Sequence, residues 1–132
     1  MKVLVDTNIW SMALRCKANV NNKDVDKLKA LILSNQVVMI GPVRQELLSG
    51  IASEEGFYKL NVSLEVYDDF PILRHDYITA ARFYNLCRRQ GVQGSMTDFL
   101  ICAVAVNNDM RIYTNDMDFH NFSKHLPIKL LK

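Results

Sequence analysis

Lys2-Val3-Leu4-Val5-Asp6-Thr7-Asn8 is the stretch that decides how the rest of the chain is read. Its apolar run is continuous, not alternating, which is the pattern of a strand buried on both faces of a parallel sheet. The run ends on an acid. In open α/β sheets ligands bind beyond the carboxyl ends of the strands. Asp6 is therefore expected on the functional rim of whatever sheet this strand joins.

Working outward, the same alternation of short apolar runs and helical patterns continues to the end. Ile9–Leu14 reads as a short helix. Asn21-Asn22 offers an N-cap, with Val25, Leu28, Leu31 and Ile32 following at helical spacing. Val37–Ile40 reads as a second buried strand, and Pro42 can open the helix that carries Val43, Leu47, Leu48 and Ile51. Ser53 precedes another helix, with Phe57, Leu60 and Leu64 as its apolar stripe. Pro71–Leu73 reads as an edge strand. Asp76 is expected to cap a helix that turns Ile78, Ala81 and Leu86 inward and ends at Gly91. Thr97 is expected to cap the nearly all-apolar helix Phe99–Val106, with Asp98 opening it. Arg111–Thr114 and Ile128–Leu131 read as the last strands. Strands alternating with helices give a three-layer α/β fold with a mostly parallel central sheet flanked by helices.

The chain has 132 residues, which suits one compact domain spanning residues 1–132. At 49% hydrophobic it can build a core without disulfide staples. It contains no apolar run of about 18 residues, so no membrane-spanning helix is expected. Asp6 interrupts the first apolar run too early for a signal peptide, and the expected location is the cytoplasm. Cys16, Cys87 and Cys102 are odd in number and lack CxxC spacing. That disfavours a disulfide framework or a structural zinc site, and Cys87 and Cys102 read as small core residues. The net charge of +2 and pI near 8.4 permit a polyanionic partner without demanding one.

Four acids converge on one rim. Asp6 ends the first strand and Asp116 follows the Arg111–Thr114 strand. Glu46 lies in the first turns of the helix after Val37–Ile40. Asp98 lies in the first turn of a helix that must start at the carboxyl end in order to precede a parallel strand, and the helix dipole there favours an anion. Singly, each acid has an ordinary explanation as a turn residue or a solvated charge. Jointly they repel. At about 4 Å and an effective dielectric of about 20, each pair costs on the order of 4 kcal/mol. Either some of them stay protonated or hard divalent cations bind among them. Oxygen ligands alone suit magnesium or manganese, and acids holding one or two such ions are apparatus for phosphodiester cleavage by an activated water.

With these residues in place, the chain resembles the PIN-domain ribonucleases, in particular the VapC toxins of toxin–antitoxin pairs. Val5-Asp6-Thr7-Asn8, followed by Ile9-Trp10, looks like the opening Asp-Thr-Asn/Ser element of that family. Gln45-Glu46-Leu47-Leu48-Ser49-Gly50 looks like its Glu-Leu-x-x-Gly helix. Asp98-Phe99-Leu100-Ile101-Cys102-Ala103 is similar to its Asp-x-x-Ile-Ala-Ala helix, with Cys102 replacing an alanine. Thr114-Asn115-Asp116-Met117-Asp118-Phe119 looks like its Thr-x-Asp-x-Asp-Phe element. The resemblance implies that Asp6, Glu46 and Asp98 ligate magnesium or manganese and that Asp116 completes the acidic pocket. It makes Asp118 a fifth acid and gives Thr7, Asn8 and Thr114 the task of orienting the carboxylates. It also implies endoribonuclease cleavage of structured RNA, often tRNA, leaving a 5′-phosphate and a 3′-hydroxyl and so halting translation. The implied partners are a cognate antitoxin and a second copy of the chain.

Other features carry less. Arg44, Arg74, Arg82, Arg88 and Arg89 are candidates for RNA phosphates, with Arg44 favoured because it lies two residues before Glu46. His120 and His125 are five apart, not at the spacing of a helical zinc pair, and neither they nor His75 reads as catalytic. Trp10 and Met12 suit core packing or the wall of a partner groove. Two rival functions remain. A haloacid-dehalogenase-like phosphatase would need a second Asp two residues after Asp6, where Asn8 stands. A catalytically silent RNA- or protein-binding module would be expected to have lost part of the acid set.

Overall fold

A computed structural model of the chain describes residues 1–15 and 21–132, so Cys16 lies outside the described residues. In chain order the elements are β1 (Val3–Val5), α1 (Thr7–Arg15), α2 (Lys23–Leu33), β2 (Val37–Val38), α3 (Gly41–Leu48), α4 (Glu54–Leu64), α5 (Arg74–Arg89), α6 (Met96–Asn107), β3 (Arg111–Tyr113) and α7 (Met117–Ser123). The three strands form one parallel sheet in the order β2-β1-β3. Val3 pairs with both Val37 and Arg111, and Val5 pairs with Tyr113. β1 is wholly buried because helices cover both of its faces, as its uninterrupted apolar run requires.

The helices fall into two groups. α1 packs on α2 and α3, while α5 packs on α6, which also lies against β3. α6 is apolar all round and buries Phe99 and Ile101–Ala105, as befits a helix enclosed by other layers. Cys87 and Cys102 are buried free thiols, as the sequence suggests. Trp10 is buried edge-on to Tyr67, and Met12 packs against the core.

Several expectations need correction. Pro71–Leu73 forms no strand. The pairing there is a single bridge between Met39 and Asp69, with the Phe70 N–H donating to the Met39 carbonyl at 2.8 Å. On the other side the chain turns into α3 at Gly41, so no extended residue beyond Ile40 is left for the ladder to continue on. The segment Ile128–Leu131 likewise contributes one bridge, Ile112 to Leu130. In α4, which packs on α3, only Leu64 is buried and Phe57 stays 38% exposed. In α5 the inward residues are Asp76, Ala80 and Cys87, and Ile78 is 48% exposed. A polar residue sets that phase. The Asp76 carboxylate accepts from the Leu73 N–H at 2.9 Å and from Asn107 Nδ2 at 2.8 Å. Asp76 is thus the third residue of the helix, not its cap. α7 adds an element that the apolar pattern of the sequence does not announce, since it buries only Phe119 and Phe122.

Candidate functional site

Asp6 sits at the end of β1, where its N–H donates to the Tyr113 carbonyl at 2.9 Å and so extends the ladder by one residue. Its side chain turns into the protein and is only 4% exposed. One carboxylate oxygen accepts from the Thr7 N–H at 2.7 Å and the other from the Thr114 hydroxyl at 2.8 Å. The Thr7 hydroxyl reaches the other way and donates to Glu46 Oε1 at 2.7 Å. The Thr114 hydroxyl also accepts from the Asp116 N–H at 3.0 Å. A chain of hydrogen bonds therefore runs from the start of α7, through the ends of β3 and β1, to α3.

Asp98 and Asp116 reach the same rim from helix starts. α6 begins with a capping box two residues earlier than expected. Ser95, not Thr97, is the N-cap, and Asp98 is the third helical residue. The Asp98 N–H donates to Ser95 Oγ at 3.1 Å, while the Asp98 carboxylate accepts from the Ser95 N–H at 3.2 Å. Ser-x-x-Asp at residues 95–98 is a capping signal that the sequence already carries. Asp116 is the N-cap of α7, and its carboxylate accepts from the Asp118 N–H at 2.9 Å.

The electrostatics tie these acids together. Burial is the largest cause of a rise in the Asp6 pKa to about 6. The hydrogen bonds from Thr114 and Thr7 oppose it, and the charges of Asp98 and Asp116 add to it. Burial also raises Asp98, and the charges of Asp116 and Glu46 push it further. None of the four acids has an ion-pair partner among the described residues. The same residues do not close into a ready coordination set, since no three His, Cys, Asp or Glu side chains among the described residues stand close enough. A buried carboxylate facing other acids, with no Lys or Arg among the described residues to neutralise it, fits a hard cation bound partly through water.

The remaining candidates divide. Asn8 is exposed in the first turn of α1, and Asp118 is exposed in the first turn of α7. The charge of Asp116 adds to the rise of both Asp6 and Asp98. Arg44 is corrected. Its guanidinium donates to Asp69 Oδ1 at 2.9 Å, to the Leu64 carbonyl at 3.0 Å and to the Tyr67 carbonyl. It pins the segment after α4 and has little left to offer a phosphate. Arg88 and Arg89 are exposed at the end of α5, the end from which the chain enters α6 and Asp98. Arg88 also donates to the Tyr84 hydroxyl at 2.9 Å and lies over that ring. Ser95 is the residue that the sequence reading missed.

The family model described as PIN domain matches residues 3–125. Over 124 residues the chain is 29% identical to the VapC ribonuclease Mb1587 of Mycobacterium bovis, an alignment covering 89% of this chain and 88% of that protein. It matches Ribonuclease VapC11 of Mycobacterium tuberculosis to the same extent. Among solved structures, VapBC2 from Rickettsia felis bound to a promoter DNA fragment superposes with a TM-score of 0.77 at 19% identity, covering 100% of this chain and 98% of that one. FitAcB from Neisseria gonorrhoeae superposes with a TM-score of 0.76 at 20% identity, covering 98% and 96%.

Proposed function

The chain belongs to the PIN-domain family, and on that footing we propose that it is a magnesium- or manganese-dependent endoribonuclease, the toxin of a toxin–antitoxin pair, halting translation by cutting tRNA or other structured RNA. The observation that carries this reading is Asp6. It is buried, it lacks a cationic partner among the described residues, and burial, with the charges of two further acids adding to it, raises its pKa to about 6. Leaving such a group uncompensated is costly unless a cation arrives.

In this reading Asp6, Glu46, Asp98 and Asp116 hold the ion, directly or through water. When bound, the ion supplies Lewis acidity at the phosphate and lowers the pKa of an attacking water. The Thr114 and Thr7 hydroxyls fix the orientation of Asp6 and Glu46 through the hydrogen bonds described above. Asn8 and Asp118 flank the pocket as weaker polar contributors. Arg88 and Arg89 contribute phosphate contacts that hold the RNA against the acids.

The whole chain, residues 1–132, works as one domain in the cytoplasm. No helix among the described residues is long and apolar enough to cross a membrane. A cognate antitoxin is the protein partner, in keeping with a similar solved structure described as a toxin–antitoxin complex from Klebsiella pneumoniae. A second copy is the further partner. The apolar hollow between α5 and α6, lined by Tyr77, Ala81, Tyr84, Met96 and Leu100, favours it.

Purified protein should cut RNA only when magnesium or manganese is supplied, and Asp98→Asn should not cut while keeping the parental circular dichroism. Cleavage by Asp98→Asn at the parental rate, or by the parent in excess EDTA, would refute the reading. No cleavage by the parent at any metal concentration would leave a silent RNA- or protein-binding module.

A further inference from the structure

Gly94 lies in the loop between α5 and α6, immediately before Ser95. A Cβ built there would fall 2.5 Å from Phe122 Cζ, 3.0 Å from Phe122 Cε1 and 3.0 Å from Phe99 Cε2. The first distance is one that real Cβ atoms do not show. The requirement for glycine here is space, since Gly94 is not among the glycines with positive φ. Nor can the neighbours give way cheaply. Phe99 and Phe122 are fully buried, with ring centroids 4.9 Å apart. Phe119 lies 5.3 Å from Phe122, and Tyr84 lies 5.6 Å from Phe99. Close-packed aromatic rings transmit a displacement instead of absorbing it.

This contact adds the Ser95 loop to the Phe99–Phe122 packing that joins α6 to α7. On one side, Ser95 caps α6 and its N–H holds the Asp98 carboxylate. On the other, Phe119 and Phe122 are the buried face of α7, whose N-cap is Asp116. We propose that Gly94 is a positioning residue of the acidic site: its missing side chain lets the Ser95 loop seat on Phe122, and that seating sets the spacing between Asp98 and Asp116. The inference rests on the metal-nuclease reading above and adds to it a residue that touches neither ion nor RNA.

Mn²⁺ affinity, measured by calorimetry and by water-proton relaxation on metal-stripped protein, tests it. Gly94→Ala should weaken Mn²⁺ binding roughly tenfold, the scale of outer-shell effects, and raise the Mn²⁺ concentration needed for half-maximal cleavage in parallel. Phe122→Leu, which opens a gap under the loop, should weaken binding by a few fold for the same reason. The double variant should bind Mn²⁺ more tightly than either single one, because the added methyl group fills part of the space the ring vacates. A purely structural role would lower thermal stability in EDTA without moving Mn²⁺ affinity, and that outcome overturns the proposal. So does a double variant no better than the worse single one. If Gly94→Ala does not fold, Phe122→Leu decides, and parental affinity there refutes the inference. A parent that binds no Mn²⁺ defeats the nuclease reading and this inference together. A parent that binds Mn²⁺ no more tightly than Gly94→Ala does defeats this inference alone.

Discussion

Two aspartates are buried among the described residues, Asp6 at 4% exposure and Asp76 at 1%, and they are placed in opposite company. Asp76 looks onto donors: the Leu73 N–H, the Asn107 amide and, at 3.6 Å, His75 Nε2. It ties the start of α5 to the end of α6. Asp6 also accepts two hydrogen bonds, from Thr7 and Thr114, but beyond them it meets the charges of Asp98 and Asp116. Burial alone does not mark a functional acid. Burial without a compensating positive group does, because the fold then tolerates a repulsion that a neutral side chain would relieve.

The largest expected effect breaks this pair apart. Asp6→Asn should lower metal-dependent RNA cleavage by at least about a hundredfold, beyond the usual outer-shell effect, while leaving the metal-free protein as stable as the parent or more so at neutral pH. Asp76→Asn should do the reverse. It mismatches one of the donors that face the carboxylate and should cost about 1–3 kcal/mol of stability, with cleavage at saturating metal near the parental rate. Urea unfolding in EDTA and cleavage assays on both variants check this. If both lose stability alike and both retain cleavage, the distinction between the two acids fails.

The comparison sharpens with pH. In the folded metal-free protein Asp6 keeps its proton up to about pH 6, against an ordinary value of 3.8. Between those values the folded state binds more protons than the unfolded chain, so rising pH costs stability. The contribution is fully present below the ordinary value and is lost as pH climbs through the folded value, on the order of 3 kcal/mol. Asp98 is raised as well and adds in the same direction. Unfolding curves in EDTA should show this component in the parent and a reduced one in Asp6→Asn. Metal binding has the opposite dependence, because the ion needs the carboxylates ionised. Metal affinity should therefore climb as pH rises through about 6 and then level off. An affinity independent of pH across that range would remove Asp6 from the ion's surroundings.

Much of this was legible in the sequence, for reasons that differ by residue. The apolar run of β1 and its terminal Asp6, the Asn22 cap of α2 and the all-apolar α6 depend on local pattern, and local pattern survives folding. The rim position of the acids followed from parallel topology alone. What failed was set by partners distant in sequence. The phase of α5 follows from Asp76 meeting Asn107, thirty-one residues away, and no periodicity reports that. Arg44 seemed free because Asp69 and the Leu64 and Tyr67 carbonyls are far along the chain. α7 is seven residues long and buries only Phe119 and Phe122, too short a stripe for helical spacing to show. Ser95 was a different failure, since its Ser-x-x-Asp signal stood in plain sequence and was assigned to Thr97.

Smaller effects separate support from chemistry. Thr114→Val removes the hydroxyl that bridges Asp6 and the Asp116 N–H. It should weaken metal binding about tenfold with the fold intact. An unchanged affinity would mean that Thr7 and the backbone suffice to orient Asp6.

The arginines give the finest contrast. Arg44→Met strips three acceptors of their donor and should cost about 1–3 kcal/mol of stability, yet leave the salt dependence of RNA binding unchanged. Arg88→Ala combined with Arg89→Ala should barely alter stability, since both side chains are exposed. It should weaken RNA binding at low salt and flatten the plot of log affinity against log salt by about 0.7 per lost phosphate contact, the single-strand value. If instead Arg44→Met flattens that slope and the Arg88/Arg89 pair does not, RNA must approach over α3, and the guanidinium must leave Asp69 to meet it.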